Sequence, residues 1–340
     1  MIDVWRRQVK AERNLVLFAA YKAFFPQLIA GPIVRYKDVE KDFHHPVLSP
    51  DIFAAGAGRF MVGLCKKVLI ADSVAIIADA SFALSASEQT FVSAWIGALA
   101  YSIQIYFDFS GYSDMAIGLA MMFGIRFREN FNHPYAASTI TEFWRRWHIS
   151  LSSWFRDYLY IPLGGNRVGA FRTYVNLMIV FVTTGIWHGA AWTFVFWGVY
   201  HGIFLIGERL LLGGKAVASQ TLRLLYFFPV VIVGWVMFRA PDMPAFFAHL
   251  RSMLLPLADG AWALPAGMQL TLAPQPVAAM LLACLLIVMQ GQFRPAGVVV
   301  AEASSTLSRV VRLGFVAVSA IVCTIFVVPQ FFSPFLYFRF

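Results

Sequence analysis

The chain has 340 residues, 59% of them hydrophobic and only 13% charged, with a mean hydropathy of +0.68 and a net charge of +9. A soluble domain carries about one charged residue in four, so the composition excludes an ordinary soluble enzyme. It marks a polytopic membrane protein whose helices satisfy their own backbone groups in lipid. The positive charge does not make a nucleic-acid binder, because the basic residues lie in loops beside hydrophobic spans, where the positive-inside bias puts them.

Residues 1–13 are basic and amphipathic and are expected at the membrane interface. Nothing there resembles a cleavable signal peptide, since the charged run Asp3–Arg13 precedes the first apolar segment. Asn14–Val34 is long enough to span, but Pro26 and Gly31-Pro32 interrupt it, so a broken or re-entrant segment fits as well as a straight one. Arg35–Pro50 is a polar loop. Gly56–Ala80 is apolar apart from Lys66, Lys67, Asp72 and Asp79, a polar stripe that must face protein, water or the interface. Ser81–Thr90 has no Lys or Arg and is placed outside.

Phe91–Gly124 would be about 51 Å long as one helix, beyond a hydrocarbon core of roughly 30 Å. A break is expected at Asp108-Phe109-Ser110-Gly111-Tyr112-Ser113-Asp114. The arginine excess in Ile125–Arg172 marks that stretch as cytoplasmic. Within it, Thr141–Tyr160 reads as one amphipathic helix lying in the interface, ended by Pro162 and Gly164-Gly165. Thr173–Trp187 and Trp192–Leu212 are two spans joined near Gly189. Leu224–Phe238, a short Val277–Met289 and Val310–Val328 follow, giving about eight membrane segments. Inside loops are marked by Arg209, Lys215 and Arg223, and by Arg294, Arg309 and Arg312. Cys65, Cys284 and Cys323 lie in apolar stretches and read as small hydrophobes. With no internal repeat, linker or soluble domain, residues 1–340 form a single all-α domain, a membrane helical bundle.

Two histidines stand out. His188, in Gly185-Ile186-Trp187-His188-Gly189, lies in an apolar run just before the chain reverses. It either packs against a backbone carbonyl or serves as a general base, and ionisable groups within membrane segments are usually functional. His148, in Phe143-Trp144-Arg145-Arg146-Trp147-His148, lies between tryptophans on a helix whose arginines suit an anionic donor. Arg145 and Arg146 serve equally well to meet lipid phosphates. Asp108 and Asp114 fit capping or cavity lining better than catalysis. His201 reads as packing or a supporting residue, and His44, His45, His133 and His249 as loop or interface residues. No His/Cys/Asp spacing suggests a metal, and no glycine-rich phosphate loop follows a strand.

These motifs resemble the membrane-bound O-acyltransferase family, in its bacterial branch typified by the alginate O-acetyltransferase membrane subunit. The matching blocks are Phe24–Ile33, Tyr106–Asp114, Asn130-Phe131-Asn132-His133-Pro134-Tyr135, Glu142–Ser152, Tyr160–Asn166, Trp187-His188-Gly189-Ala190 and the aromatic tail Phe331–Phe340. They cover essentially the whole chain. The resemblance implies a multi-pass protein of the bacterial inner membrane. It implies transfer of an acyl group from a cytoplasmic thioester, acetyl-CoA or another, to an extracytoplasmic acceptor, with no tightly bound cofactor. His188 matches the family's catalytic histidine and His148 its second functional histidine. Trp144, Arg145, Arg146, Trp147, Trp187, Asp108 and Asp114 are expected to line the substrate path. Implied partners are periplasmic acetyltransferase proteins, a polysaccharide acceptor such as alginate, and membrane lipids. Relatives of the branch carry further helices before the stretch resembling Ile2-Asp3-Val4-Trp5. A truncated gene model, a fragment and a shortened form all fit that departure. The stripe of Lys66, Lys67, Asp72 and Asp79 is then the expected face left open. The runner-up activity is D-alanyl or other acyl transfer to teichoic acid or peptidoglycan. A transporter or flippase would also explain broken helices and buried charge, but the histidines sit in one unpaired block without inverted symmetry.

Overall fold

The computed structural model describes residues 1–28, 31–213, 220–289 and 306–328. Ile29, Ala30, Lys215, Arg294 and the tail Phe331–Phe340 lie outside the described residues. All regular structure within them is helical.

After a short α1 (Ile2–Trp5), α2 (Leu15–Ala23) starts at Asn14, whose side chain accepts from the backbone of Val16 and Leu17. Pro26 turns the chain through a 3-10 turn at Phe25–Gln27, and it reaches α3 (Tyr36–His44) beyond Pro32. The first apolar segment is therefore broken. The helix α4 (Pro50–Cys65), capped by Ser49, runs through a π-helical stretch, Lys66–Ala71, into α5 (Asp72–Phe82).

The helix α6 (Phe91–Met122) is continuous for 32 residues. The break expected at Asp108–Asp114 is absent, and the reason lies on the neighbouring helix. Lys67 Nζ lies 2.7 Å from Asp108, Lys66 Nζ 2.6 Å from Asp114, and Arg59 Nη2 2.9 Å from Asp114. Paired this way, the carboxylates need no exposed backbone turn to shelter them. Most of the stripe expected on an open face thus turns inward, at Lys66, Lys67 and Asp72, while Asp79 stays 39% exposed and pairs with Arg239. Glycines on both helices let the backbones approach, as small residues do in membrane bundles.

The expected single helix over residues 141–160 is two, α7 (Ile140–Arg146) and α8 (Ile149–Phe155), the second continuing as a π-helical stretch to Tyr160. Much of its apolar face is buried in protein, with Trp144, Trp147, Leu151 and Phe155 each no more than 8% exposed, while Trp154 and Tyr158 are half-buried. Glu208 caps α7 from afar, accepting from the backbone N–H of Thr141 at 2.8 Å and from that of Ile140. A carboxylate there also meets the positive end of the helix dipole.

The helices α9 (Ala170–His188) and α10 (Trp192–Leu212) form a close hairpin. Gly185 and Gly198 lie against the backbones of Phe194 and Phe181. Then come α11 (Gln220–Leu222), a π-helical stretch Arg223–Phe227, α12 (Phe228–Arg239), α13 (Met243–Leu254), α14 (Ala266–Gln269), α15 (Pro274–Met289) and α16 (Thr306–Val327). Arg309 and Arg312, expected in a loop, fall in the first turns of α16. His249, expected in a loop or at an interface, is buried on α13, where it bonds Gln89 and the Ala94 carbonyl and stacks on Phe82. Ala170–His188, Trp192–Leu212 and Val310–Val327 are long and apolar enough to cross a membrane, and Pro274–Met289 is a shorter apolar helix. The core gathers around Tyr101, Phe143, Trp197, Phe227 and Trp235.

Candidate active site

His148 stands between α7 and α8 in the left-handed region, at φ 46° and ψ 53°. A non-glycine residue there is strained and persists only where its surroundings hold it. Asn130 does the holding. Its backbone carbonyl accepts from Ile149 N–H at 2.9 Å, and its side-chain Oδ1 accepts from Ser150 N–H at 3.2 Å. The first N–H groups of α8, which no local side chain caps, are thereby satisfied from 20 residues away. The His148 ring is 3% exposed, meets Phe109 edge-on at 4.7 Å, and presents Nδ1 3.2 Å from Asn130 Oδ1.

His188 ends α9. Gly189 follows it with extended backbone, so close to the Phe194 ring that a side chain would collide. The His188 ring packs against Trp187 at 4.9 Å, Phe238 at 5.1 Å and Trp197 at 5.2 Å. Trp187 also lies 6.4 Å from the His148 ring. The two imidazoles, 40 positions apart in sequence, therefore flank a single indole. His201 is fully buried between Trp144 and Trp197, a packing position behind this pair.

A cavity of about 470 Å³ opens beside the site, lined by Trp144, Arg145, Ser152, Arg156, Phe181 and Thr184 among others. Thr184 is one turn before His188 and shares its face of α9, so the cavity comes within a helical turn of that ring. Arg145 is exposed there with no ion-pair partner among the described residues. Such a site offers a guanidinium to an anionic head and aromatic walls to an apolar arm.

The other residues expected along the path are engaged elsewhere. Arg146 is held by Glu142 at 2.6 Å, one turn back on α7. Trp147 packs into the core on Trp235 at 4.8 Å. Asp108 is tied to Lys67, and Asp114 lines a separate polar cavity of about 50 Å³ with Arg59, Lys66, Ser113, Glu129 and Asn130. Asn130, Ser150, Thr184 and Glu208 went unrecognised in the sequence as site or support residues. Asn130 and Ser150 left a signal, as polar residues inside the blocks Asn130–Tyr135 and Glu142–Ser152, whereas Thr184 and Glu208 left none. No group of residues able to hold a metal occurs among the described residues.

Known proteins resemble this chain throughout. The model of the membrane-bound O-acyltransferase family matches residues 9–241. A protein of Azotobacter vinelandii named "Probable alginate O-acetylase AlgI" is 46% identical over 369 residues, covering 100% of this chain and 73% of that protein. One of the same name from Pseudomonas aeruginosa is 51% identical over 267 residues, 78% of this chain and 50% of the other. A "Peptidoglycan O-acetyltransferase" of Helicobacter pylori is 45% identical over 244 residues, 70% of this chain and 46% of the other. The chain thus spans about half the length of the last two.

Proposed function

The chain belongs to the membrane-bound O-acyltransferase family, and from that premise we propose that it moves an acetyl group from a cytoplasmic acyl thioester to a hydroxyl of an exported polysaccharide. The observation that carries this reading is the pair His148 and His188 flanking Trp187, with the Arg145 cavity one turn away. Acetyl-CoA or a carrier-held thioester enters that cavity with its phosphates at Arg145. The His188 imidazole takes the hydroxyl proton as the oxygen attacks the thioester carbonyl. The tetrahedral intermediate collapses, the C–S bond breaks, and the proton passes to the departing sulfur. Ester and thiol result, so the balance needs no further cofactor. The protein works in the bacterial inner membrane, with periplasmic acetyltransferase proteins receiving or finishing the transfer.

Alginate is the favoured acceptor, since relatives named for it match at 46% and 51% identity. Peptidoglycan is the second reading, supported by the Helicobacter pylori relative at 45%. The test is to express the chain in cells that export unacetylated alginate, with His188→Ala as control, and to measure ester-linked acetate on both polymers. Acetate on alginate supports the first reading and acetate on peptidoglycan the second. Acetate on neither, with the protein abundant in the membrane, overturns both.

A further inference from the structure

We propose that Asn130 is a positioning residue that fixes the His148 proton on Nδ1 and so leaves Nε2 as the ring's basic nitrogen. The proposal deepens the acyl-transfer reading, because it gives His148 a defined chemical state within that site. The backbone N–H of Ser150 can only donate, and it points to Asn130 Oδ1 at 3.2 Å. The amide oxygen therefore faces this cluster. The amide nitrogen faces the other way, where Nδ2 donates to Ser113 Oγ at 3.0 Å. A flipped amide would set donor against donor at Ser150.

With the oxygen placed, the His148 tautomer follows. Nδ1 lies 3.2 Å from Oδ1, and an amide oxygen has no proton to give. The hydrogen between them belongs to Nδ1, and in the neutral ring the free lone pair is then on Nε2. Ser150 Oγ does not compete. It donates to Asn130 Oδ1 at 2.8 Å, accepts from Ile33 N–H at 3.0 Å, and lies 3.4 Å from Nδ1. The support is rigid, because Asn132 N–H donates to Arg146 carbonyl at 2.9 Å and Ile149 N–H to Asn130 carbonyl at 2.9 Å. Asn130 itself is wholly buried, at 0% exposure. A buried amide is costly unless every polar atom is met, and here each one is.

One oxygen thus caps α8 and orients the ring, so the test must separate the two tasks. In the full chain reconstituted in lipid nanodiscs with ¹⁵N-labelled histidine, and His148→Gln to assign the signal, His148 should give the Nδ1–H tautomer. Asn130→Asp keeps the acceptor oxygen and should keep that tautomer, whereas Asn130→Leu should lose it. A wild-type His148 in the Nε2–H form, or a spectrum indifferent to Asn130→Leu, would overturn the proposal. In the acetylation assay, Asn130→Ala should lower the rate about tenfold to a hundredfold, by analogy with loss of the hydrogen-bond partner of a metal-ligating histidine. The same change in a His148→Ala background should cost much less, only what the lost cap of α8 costs. A purely structural cap would cost as much in both backgrounds, and that result also overturns the proposal. Loss of acetylation in every protein including wild type would instead sink the acyl-transfer reading, while the tautomer would still be decided by the spectrum.

Discussion

Lys67 Nζ lies 2.7 Å from Asp108 on α6 and 2.7 Å from Asp72 at the start of α5, with all three side chains nearly withdrawn from solvent. One ammonium thus holds two buried carboxylates beside the π-helical stretch. Lys67→Met should leave them facing each other without a counter-charge. Breaking a buried pair by removing one partner costs about 3–5 kcal/mol. The expected outcome is a marked fall in melting temperature in detergent, with lower abundance in membranes. Combining Lys67→Met with Asp72→Asn and Asp108→Asn should recover most of the loss. An unchanged melting temperature for Lys67→Met alone would show that these charges do not hold α4 to α6.

Glycine contacts make a second, independent prediction about the same helix pair. A Cβ added at Gly118 would lie 2.6 Å from Gly56 O and 2.6 Å from Phe60 N, both backbone atoms that cannot swing aside. Gly118→Ala should therefore destabilise by about 1–3 kcal/mol through overpacking. Gly207 on α10 has nothing within 4 Å of such a Cβ. Gly207→Ala should instead be neutral or stabilise by about 0.5–1 kcal/mol, because alanine is the better helix former. Opposite thermal shifts for the two variants are the expected result, and equal shifts would contradict it.

At the N-terminal face, Glu12 accepts from Tyr36 Oη at 2.7 Å, from the Asn14 backbone at 2.8 Å, and faces His44 Nε2 at 2.7 Å. The Tyr36 bond foremost, then Asn14 and His44, bring its carboxyl from the ordinary 4.5 down to about 2. A depressed acid contributes stability that is fully present above its unfolded value and is lost as pH falls through the folded one. The docking of residues 8–14 on α3 should thus hold at neutral pH and loosen between about 4.5 and about 2. Protection of the Asn14 and Val16 amides against hydrogen exchange, taken relative to the intrinsic rate at each pH, should fall in that window. In Glu12→Gln that protection should already be low at neutral pH and stay flat as acid is added. A wild-type profile equally flat from pH 6 to 2 would refute the Glu12 account.

Much of this organisation was legible in the sequence, and the failures share one physical cause. The helical class, the hairpin before and after Gly189 and the prominence of His148 and His188 follow from hydropathy and local motif, which are properties of contiguous residues. The misread features depend on partners far along the chain. Asp108 and Asp114 look like a helix break until Arg59, Lys66 and Lys67 are placed beside them. The helix over residues 141–160 looks continuous until Asn130 stabilises a left-handed turn at His148. Glu208 looks like a stray acid on an apolar helix until the N-terminus of α7 arrives at its carboxylate. A local case differs: Arg145 and Arg146 are adjacent and alike in sequence, yet Glu142, one turn back, takes one and leaves the other to the cavity.

The last prediction concerns the chemistry at His188. Its ring ends α9 among Trp187, Trp197 and Phe238, and one imidazole contributes little to inserting a helix rich in valine, isoleucine and phenylalanine. His188→Ala should therefore leave abundance in the membrane nearly unchanged. General-base assistance is worth about 10²–10⁴-fold in rate, or roughly 3–5 kcal/mol of barrier, so the same variant should lose acyl transfer. His188→Gln keeps a hydrogen-bonding group of similar reach but cannot take a proton at neutral pH, and it should be as inactive as the alanine variant. A histidine kept only for packing would tolerate glutamine far better. His148→Ala separates two roles for the second ring. A modest loss fits a ring that positions the donor beside Trp187, and a loss equal to that of His188→Ala fits a shared proton transfer. The measurement is ester-linked acetate on the exported polymer, with each variant quantified in the same membranes. Normal acetylation by a well-expressed His188→Gln protein would remove the base from His188 and send the search to the nitrogen that Asn130 leaves open on His148.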